Sequence, residues 1–242
     1  MKTILRILLT SLLTLIILFL NPSIVLSQKN MVNCSTTIAD SSIFEENILG
    51  EFPGIIESNK NVVFYNPDWR LGTIVLENNK KITNKYLNYH QLNGQLYWVR
   101  TPDYKQIILN KEKVKEIIIY AKDNSKEEVF RKIIFWPWYK SDYISEYLQV
   151  LSEGKIKLYA YRRVEMNVST NEIVPFTDYY IQINQNNIKH LKRGRWALYA
   201  NVEDYKTLMK KIVRGNHLSI RNENDLIKAI DLFNIEVKKI TN

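Results

Sequence analysis

The sequence predicts an α+β fold: mainly an antiparallel β meander, arranged as a sandwich or open barrel, with a C-terminal helical hairpin. Between residues 61 and 183, short apolar or alternating runs are separated by turn residues, which is typical of antiparallel strands. No long helical crossover separates these runs, so parallel βαβ units are not expected. After residue 200, apolar residues recur every three or four positions, which indicates amphipathic helices. We therefore predict a single β-rich domain over residues 61–242 that ends in two helices.

The N-terminus has the three parts of a cleavable export signal. Lys2 and Arg6 supply positive charge, and residues 7–20 form an apolar stretch without a charged residue. This stretch of 14 residues is shorter than the roughly 20 that a membrane-spanning helix needs. Small or branched residues then precede the bond between Ser27 and Gln28, where a signal peptidase would cut. We expect export to the periplasm or the cell surface.

The predicted signal peptide, residues 1–27, is followed by a polar stretch, residues 28–60, that we expect to be a flexible leader. Two alternatives stay open. One is an uncleaved N-terminal anchor, although Pro22 lies where a spanning helix would continue. The other is a lipoprotein attached through Cys34. Because Cys34 is the only cysteine, no disulfide can form within the chain, and the fold must depend on its core.

The chain is basic, with 34 Lys and Arg against 25 Asp and Glu. Signal cleavage would remove two of the 34 basic residues and none of the 25 acidic ones, so the formal net charge falls from +9 to +7. A basic exported protein is attracted to anionic lipid headgroups or acidic glycans, and we do not expect nucleic acid as a partner. A composition rich in Asn, Lys, Ile and Tyr also arises from an A/T-rich genome, so the charge alone does not establish binding.

The apolar runs define the predicted strands in order. Asn93 and Gly94 separate two of them and predict a hairpin with a type I′ turn, in which both central residues have positive φ. Glu153 and Gly154 separate two others. A last short strand is expected near Ile188. The predicted strands before it cover residues 61–65, 71–76, 85–89, 95–100, 104–109, 114–120, 128–136, 146–151, 156–163 and 179–183.

Two amphipathic helices are predicted at the C-terminus. The first covers about residues 201–214, with Asn201 as its N-cap and Gly215 as a left-handed stop. The second covers about residues 222–235 and begins at Asn222. Each has one apolar face, so we expect both to pack against the sheet.

An aromatic cluster at the end of one predicted strand is the first candidate site. Trp136, Trp138 and Tyr139 surround Pro137, which would end the strand and spread the rings apart. Exposed rings of this kind can stack on sugars or lie at a membrane interface. The alternative is that they pack in the core.

A basic cluster is the second candidate site. It contains Lys189, Lys192, Arg193 and Arg195, and together with basic residues of the first predicted helix it could form one surface for phosphate or carboxylate groups. The alternative is a solvated loop. The helix residues are Lys206, Lys210 and Arg214.

A face of tyrosines is the third candidate. Tyr159 and Tyr161 share one side of a predicted strand, and Tyr180 is expected nearby on the next strand. They could line a ligand groove or form a cross-strand aromatic ladder.

No motif for catalysis or for metal or nucleotide binding occurs in the sequence, so we predict no catalytic residue, metal or cofactor. The three histidines, His90, His190 and His217, have no ligand partner at a spacing typical of metal sites. A pair of carboxylates that meets only in three dimensions remains possible. Conceivable members are Asp68, Asp103, Asp142 and Glu146.

Three segments resemble uncharacterised exported proteins of bacteroidete-type bacteria. They are GTIVLENNKKITNKYLNYHQLNGQLYWV at residues 72–99, VKEIIIY at 114–120 and ENDLIKAIDLFN at 223–234. The bond between Ser27 and Gln28 is also similar to the cleavage sites of that group. The resemblance implies a cell-envelope location and a β-rich fold with a helical end, and it implies no activity.

These observations favour an exported cell-envelope protein that binds an anionic or glycan-bearing partner without catalysis. The partner would be an anionic envelope lipid, a glycan or another envelope protein. Two alternatives are a glycan hydrolase with a carboxylate pair and a protein–protein adaptor. The predicted binding residues are Trp136, Trp138, Tyr139, Lys189, Lys192, Arg193 and Arg195.

Overall fold

A computed structural model describes residues 63–100, 104–122, 126–167, 169–170, 172–183 and 188–241. In these residues ten antiparallel strands form one open sheet, and three helices follow them in the chain. The predicted α+β class, mainly antiparallel with helices at the C-terminus, is confirmed. The predicted signal peptide and leader, with Cys34, and the candidate Asp103 lie outside the described residues.

Each run predicted from residue 71 onward overlaps a strand, because alternating apolar residues mark strands that bury one face. Several strands are longer than predicted: the one predicted over residues 156–163 continues to Asn167, and the one predicted over 179–183 begins at Glu172. The spatial order of the strands is β10-β9-β8-β7-β6-β5-β1-β2-β3-β4. Their bounds are β1 (Arg70–Leu76), β2 (Lys81–His90), β3 (Gln95–Arg100), β4 (Lys105–Ile108), β5 (Val114–Ile119), β6 (Glu128–Phe135), β7 (Ile144–Ser152), β8 (Ile156–Asn167), β9 (Glu172–Ile183) and β10 (Lys189–Leu191).

The strand predicted over residues 61–65 is wrong for the part that the structure describes. Phe64 forms only an isolated bridge to His90, and the chain bends directly after it. The Phe64 ring is buried between His90 and Tyr97, with ring centroids 4.9 and 5.5 Å away. The apolar residues of this run therefore cover the end of the β2–β3 hairpin instead of extending the sheet.

The type I′ turn predicted at Asn93 and Gly94 is also wrong. The β2–β3 loop has four residues, 91–94, and the Gly94 N–H donates to the His90 carbonyl at 2.9 Å. Gly94 has positive φ, at 65°, whereas Asn93 does not. The Asn93 amide nitrogen instead donates to the Tyr97 hydroxyl at 3.0 Å, which holds the longer loop closed.

The C-terminal region contains α1 (Arg195–Asn201), a 3₁₀ turn (Glu203–Tyr205), α2 (Lys206–Gly215) and α3 (Glu223–Thr241). The second and third helices match the predicted pair. No described helix is long and apolar enough to cross a membrane.

The helix ends differ in part from the prediction. Asn201 ends α1 and does not cap a helix, because its side-chain nitrogen donates to the Ala197 carbonyl at 2.9 Å. Gly215 does not have positive φ, and the left-handed residue after α2 is His217, with φ of 53°. Asn222 does cap α3 as predicted, since its side-chain oxygen accepts from the Asp225 N–H at 3.2 Å.

Two of the three core clusters in the described residues involve most of the sheet. In one, the helices cover β7 to β10, and Leu158, Phe233 and Met209 are fully buried there. In the other, the sheet curls around Trp98 and its neighbours on β1 to β7. The curl brings β2 against β8, which is not its neighbour in the sheet. The two strands are joined there by a hydrogen bond of 3.0 Å from the Tyr89 hydroxyl to the Arg162 carbonyl.

Candidate functional site

The predicted tyrosine face is a buried aromatic cluster. Tyr159 and Tyr180 are register partners on β8 and β9, and both side chains are buried. The Phe135 ring lies 4.5 Å from the Tyr180 ring, centroid to centroid, and Tyr161 completes the cluster. Burial raises the pKa of Tyr161 far above its usual range. These tyrosines form the cross-strand ladder that was one of the two alternatives.

The exposed aromatic residues lie directly beside this cluster. β6 ends at Phe135, whose ring points into the cluster, and the in–out alternation continues beyond the strand. Trp136 and Trp138 therefore point outward, with 53% and 61% of their surface exposed, while Pro137 between them is buried. A buried strand end thus displays two indole rings to solvent.

Hydrogen bonds and stacking fix both indoles. The Trp136 ring nitrogen donates to the Lys140 carbonyl at 2.6 Å, within the turn after β6. The Trp138 ring nitrogen donates to an Asp178 carboxylate oxygen at 3.4 Å. The Trp138 ring is also stacked on His190 of β10, with centroids 6.0 Å apart and planes at 28°. The rings are consequently oriented before any ligand arrives.

Together the two indoles border a shallow depression of about 330 Å³, which we call the tryptophan depression. Its basic groups come from the turn after β6 and from β10. The depression thus combines flat apolar surfaces with positive charge. Its lining residues are Trp136, Trp138, Lys140, Ile188, Lys189 and His190.

A carboxylate beneath the depression holds its parts together. Asp178 accepts from Arg163 at 3.1 Å and lies 3.8 Å from the His190 ring nitrogen. Burial alone would raise the pKa of Asp178, but the nearby His190 ring and the charge and hydrogen bonds of Arg163 outweigh burial and lower that pKa. Asp178 therefore remains ionised and ties β9 to Trp138 and to β10.

Tyr139, the third predicted aromatic, lies beside the depression and does not line it. Its ring meets the Trp138 ring edge-on, with centroids 5.7 Å apart, and the Arg163 guanidinium lies 4.8 Å from its centroid. Tyr139 thus supports Trp138 from the side.

The structure divides the predicted basic cluster. Lys189 lines the tryptophan depression, whereas Arg193 and Arg195 line a second one of about 550 Å³, which we call the arginine depression. Lys192 is exposed and lines neither. The α2 residues Lys206, Lys210 and Arg214 also line neither.

Sequence reasoning missed several residues of these depressions. Trp196 and Arg221 line the arginine depression, and Lys140 lines the other. Trp196 directly follows the basic cluster, and an isolated tryptophan beside arginines was the available signal. Arg221 had none, because it reaches the depression through the packing of the α2–α3 loop.

The described carboxylate candidates each take a different partner. Asp68 pairs with Lys122 at 3.6 Å, and Glu146 pairs with Lys111 at 2.7 Å. The Ser141 hydroxyl donates to Asp142 at 2.9 Å. Within the described ranges no group of three His, Cys, Asp or Glu residues could hold a metal ion.

Comparison with known proteins adds no family to this description. No protein-family model, curated protein or solved structure matches the chain. The resemblance to exported proteins of bacteroidete-type bacteria stays a prediction, and function must be argued from the two depressions.

Proposed function

We propose that the protein is an exported, non-enzymatic binding module of the cell envelope whose tryptophan depression takes a sugar ring bearing an anionic group. The observation that carries this proposal is the pair of exposed, fixed indoles on one depression with two lysines. Export is supported by the predicted signal peptide, residues 1–27.

The chemistry of the depression fits such a ligand. Indole faces offer flat apolar area, and holding Trp138 by Asp178 and His190 removes the cost of ordering it on binding. Lys189 and Lys140 place positive charge at the edge, where a carboxylate or phosphate substituent would lie. A neutral sugar would gain only the stacking.

The carboxylates beside the two depressions do not favour the hydrolase alternative. The pKa values of Asp178 and Glu223 are both lowered. Burial raises each pKa, but the effects of His190 and Arg163 outweigh burial at Asp178. At Glu223 the hydrogen bond and charge of Arg162 outweigh it. A general acid in a glycosidase needs a raised pKa. The lowered pKa values of Asp178 and Glu223 do not suit that role.

The test is titration of the purified protein with a panel of uronic-acid and sialic-acid oligosaccharides and neutral oligosaccharides of equal length. Binding is followed by tryptophan fluorescence and calorimetry. We expect Trp138→Ala to weaken binding of the acidic ligand by about tenfold or more, since the stacking contacts of a ligand ring with one aromatic side chain are worth about 1–3 kcal/mol. Lys189→Gln should weaken binding of the acidic ligand and leave the affinity for any neutral ligand unchanged.

Trp196→Ala is the matched control, because Trp196 is an exposed indole outside the tryptophan depression. It should bind like the unaltered protein. Binding of no acidic member of the panel would contradict the proposal, as would equal losses for Trp138→Ala and Trp196→Ala.

A further inference from the structure

The arginine depression is separate from the tryptophan depression. Tyr179 and Tyr180 are consecutive on β9, so their side chains point to opposite faces of the sheet. The Arg193 guanidinium lies 5.0 Å from the Tyr179 ring centroid, while His190 lies 5.4 Å from Tyr180. The two depressions therefore lie on opposite faces near the β10 edge.

The arginines of this depression have unused donors. Arg195 donates to the Leu218 carbonyl at 3.2 Å, and Arg193 rests on the Tyr179 ring. In the described part of the chain, Arg193, Arg195 and Arg221 have no carboxylate within 4.0 Å, unlike four arginines of the sheet. Those four are Arg70, Arg131, Arg162 and Arg163.

Two carboxylates close to the depression are already bound within the protein. Glu223 accepts from Arg162 at 2.8 Å and from the Tyr179 hydroxyl at 2.7 Å. Asp225 accepts from the Ser219 N–H at 2.9 Å at the start of α3. Three arginines line the depression, and Arg162 offsets Glu223, so positive charge remains in excess.

Trp196 gives the depression an apolar edge. It is the most exposed large apolar side chain among the described residues, at 80%. No described ring stacks on it, in contrast to Trp138 on His190. An indole that projects this far into solvent, next to free guanidinium groups, matches the preferences of the headgroup region of a bilayer. Arginine binds phosphate through paired N–H groups.

We infer that the arginine depression is a docking surface for anionic phospholipid headgroups. The headgroup phosphate lies among Arg193, Arg195 and Arg221, and Trp196 enters the interfacial layer. A soluble phosphate would use the arginines but would leave the indole in water, which is why the lipid is the better fit. This inference does not depend on the proposed glycan binding.

The experiment is flotation of the protein with vesicles of phosphatidylcholine alone or with about a third phosphatidylglycerol, at low and high salt. Every variant has the same N-terminus, so any contribution of the leader to retention is common to all. We expect retention on the anionic vesicles, a blue shift of tryptophan emission, and loss of that shift in Trp196→Ala. Arg193→Gln with Arg221→Gln should weaken retention by about thirtyfold, since each basic residue near a membrane surface is worth about 1 kcal/mol and the double variant removes two.

The control is Lys206→Gln with Lys211→Gln, which removes the same number of charges from exposed positions of α2 outside the depression. It should retain binding within about twofold. Equal losses in the two double variants would show a non-specific charge effect and overturn the inference. So would binding of inorganic pyrophosphate by the unaltered protein without retention on vesicles. Trp138→Ala should behave as the unaltered protein here, so failure of this test is distinguishable from failure of the glycan proposal.

Discussion

Gly94 shows how one residue sets the geometry of the β2–β3 hairpin. Its φ is 65°, which L side chains rarely adopt, and a Cβ there would lie 2.9 Å from a Glu146 carboxylate oxygen. Glu146 is paired with Lys111, so the added methyl group would also disturb that ion pair. The loop therefore depends on glycine both for its backbone conformation and for its approach to β7.

We expect Gly94→Ala to lower the free energy of unfolding by about 1–2 kcal/mol. Gly215→Ala is the matched control, because a Cβ added at Gly215 would have no heavy atom within 4 Å and Gly215 ends α2 without positive φ. It should raise stability by about 0.5–1 kcal/mol through the unfolded state. Urea unfolding of both variants provides the measurement. Equal changes in the free energy of unfolding would contradict the conclusion that position 94 needs glycine for its positive φ.

At the scale of elements, α3 is attached to the sheet by a carboxylate at its first residue. Glu223 receives hydrogen bonds from Arg162 on β8 and Tyr179 on β9. Burial raises its pKa, but these bonds and the arginine charges outweigh burial and lower it from 4.5. The stabilisation is present above the unfolded-state pKa and is lost as the pH falls through the lower folded-state pKa.

Glu223→Gln should therefore cost about 1–3 kcal/mol at pH 7, since it leaves Arg162 without its charge partner. The difference from the unaltered protein should begin to shrink below about pH 4.5, the usual pKa of a glutamate, and should vanish once the pH is below the lowered folded-state pKa. Glu236→Gln on the same helix is the control, because in the part of the chain that the structure describes Glu236 pairs only with the exposed Lys239. Chemical denaturation at several pH values measures this difference in the free energy of unfolding. A difference that stays constant down to about pH 2 would contradict the role of ionised Glu223.

The elements differ in how far the sequence predicts them. Strands such as β3 (Gln95–Arg100) follow from alternating residues that bury one face, and α2 and α3 from their apolar stripes. α1 was not predicted, because its seven residues follow a basic cluster typical of a loop. Asn201 was predicted to be an N-cap because asparagine is favoured there, but asparagine also occurs at the C-terminal ends of helices.

The candidate sites were predictable in composition but not in arrangement. The sequence identifies Trp136 and Trp138 as an aromatic pair, because Pro137 marks the end of a strand. It cannot show that Lys189 lies beside them while Arg193 lies on the other face of the sheet. That division depends on how β10 and the residues after it pack against β9. The contributions of His190 and Arg221 depend on packing between elements that are distant in the sequence.

For the molecule as a whole, the helices and the β7–β10 half of the sheet share one core. Phe233 of α3 is fully buried in that core, and it contacts Tyr205 at 5.3 Å, ring centroid to centroid. We expect Phe233→Ala to lower stability by about 3–5 kcal/mol. Helical circular dichroism and tryptophan fluorescence should then change together in one transition at lower temperature.

Ile235 is the control for this prediction, because it lies on the same helix with about half of its side chain exposed. Ile235→Ala should change the free energy of unfolding by less than about 0.5 kcal/mol. Two separate transitions in the Phe233 variant would show that the helices unfold independently of the sheet.

The open sheet ends in two very short strands, β10 with three residues and β4 with four. An outer strand is the place where a second chain could add a strand of its own, and each extra residue there offers further backbone partners. β10 offers only three residues, two of which are the basic Lys189 and the half-buried His190. Strands this short are poor templates for chain-to-chain growth. β10 pairs only with Tyr179, Tyr180 and Ile181, however, so among the described residues the outer edge of β9 from Glu172 to Asp178 has no strand partner, and pairing with a second chain would begin there.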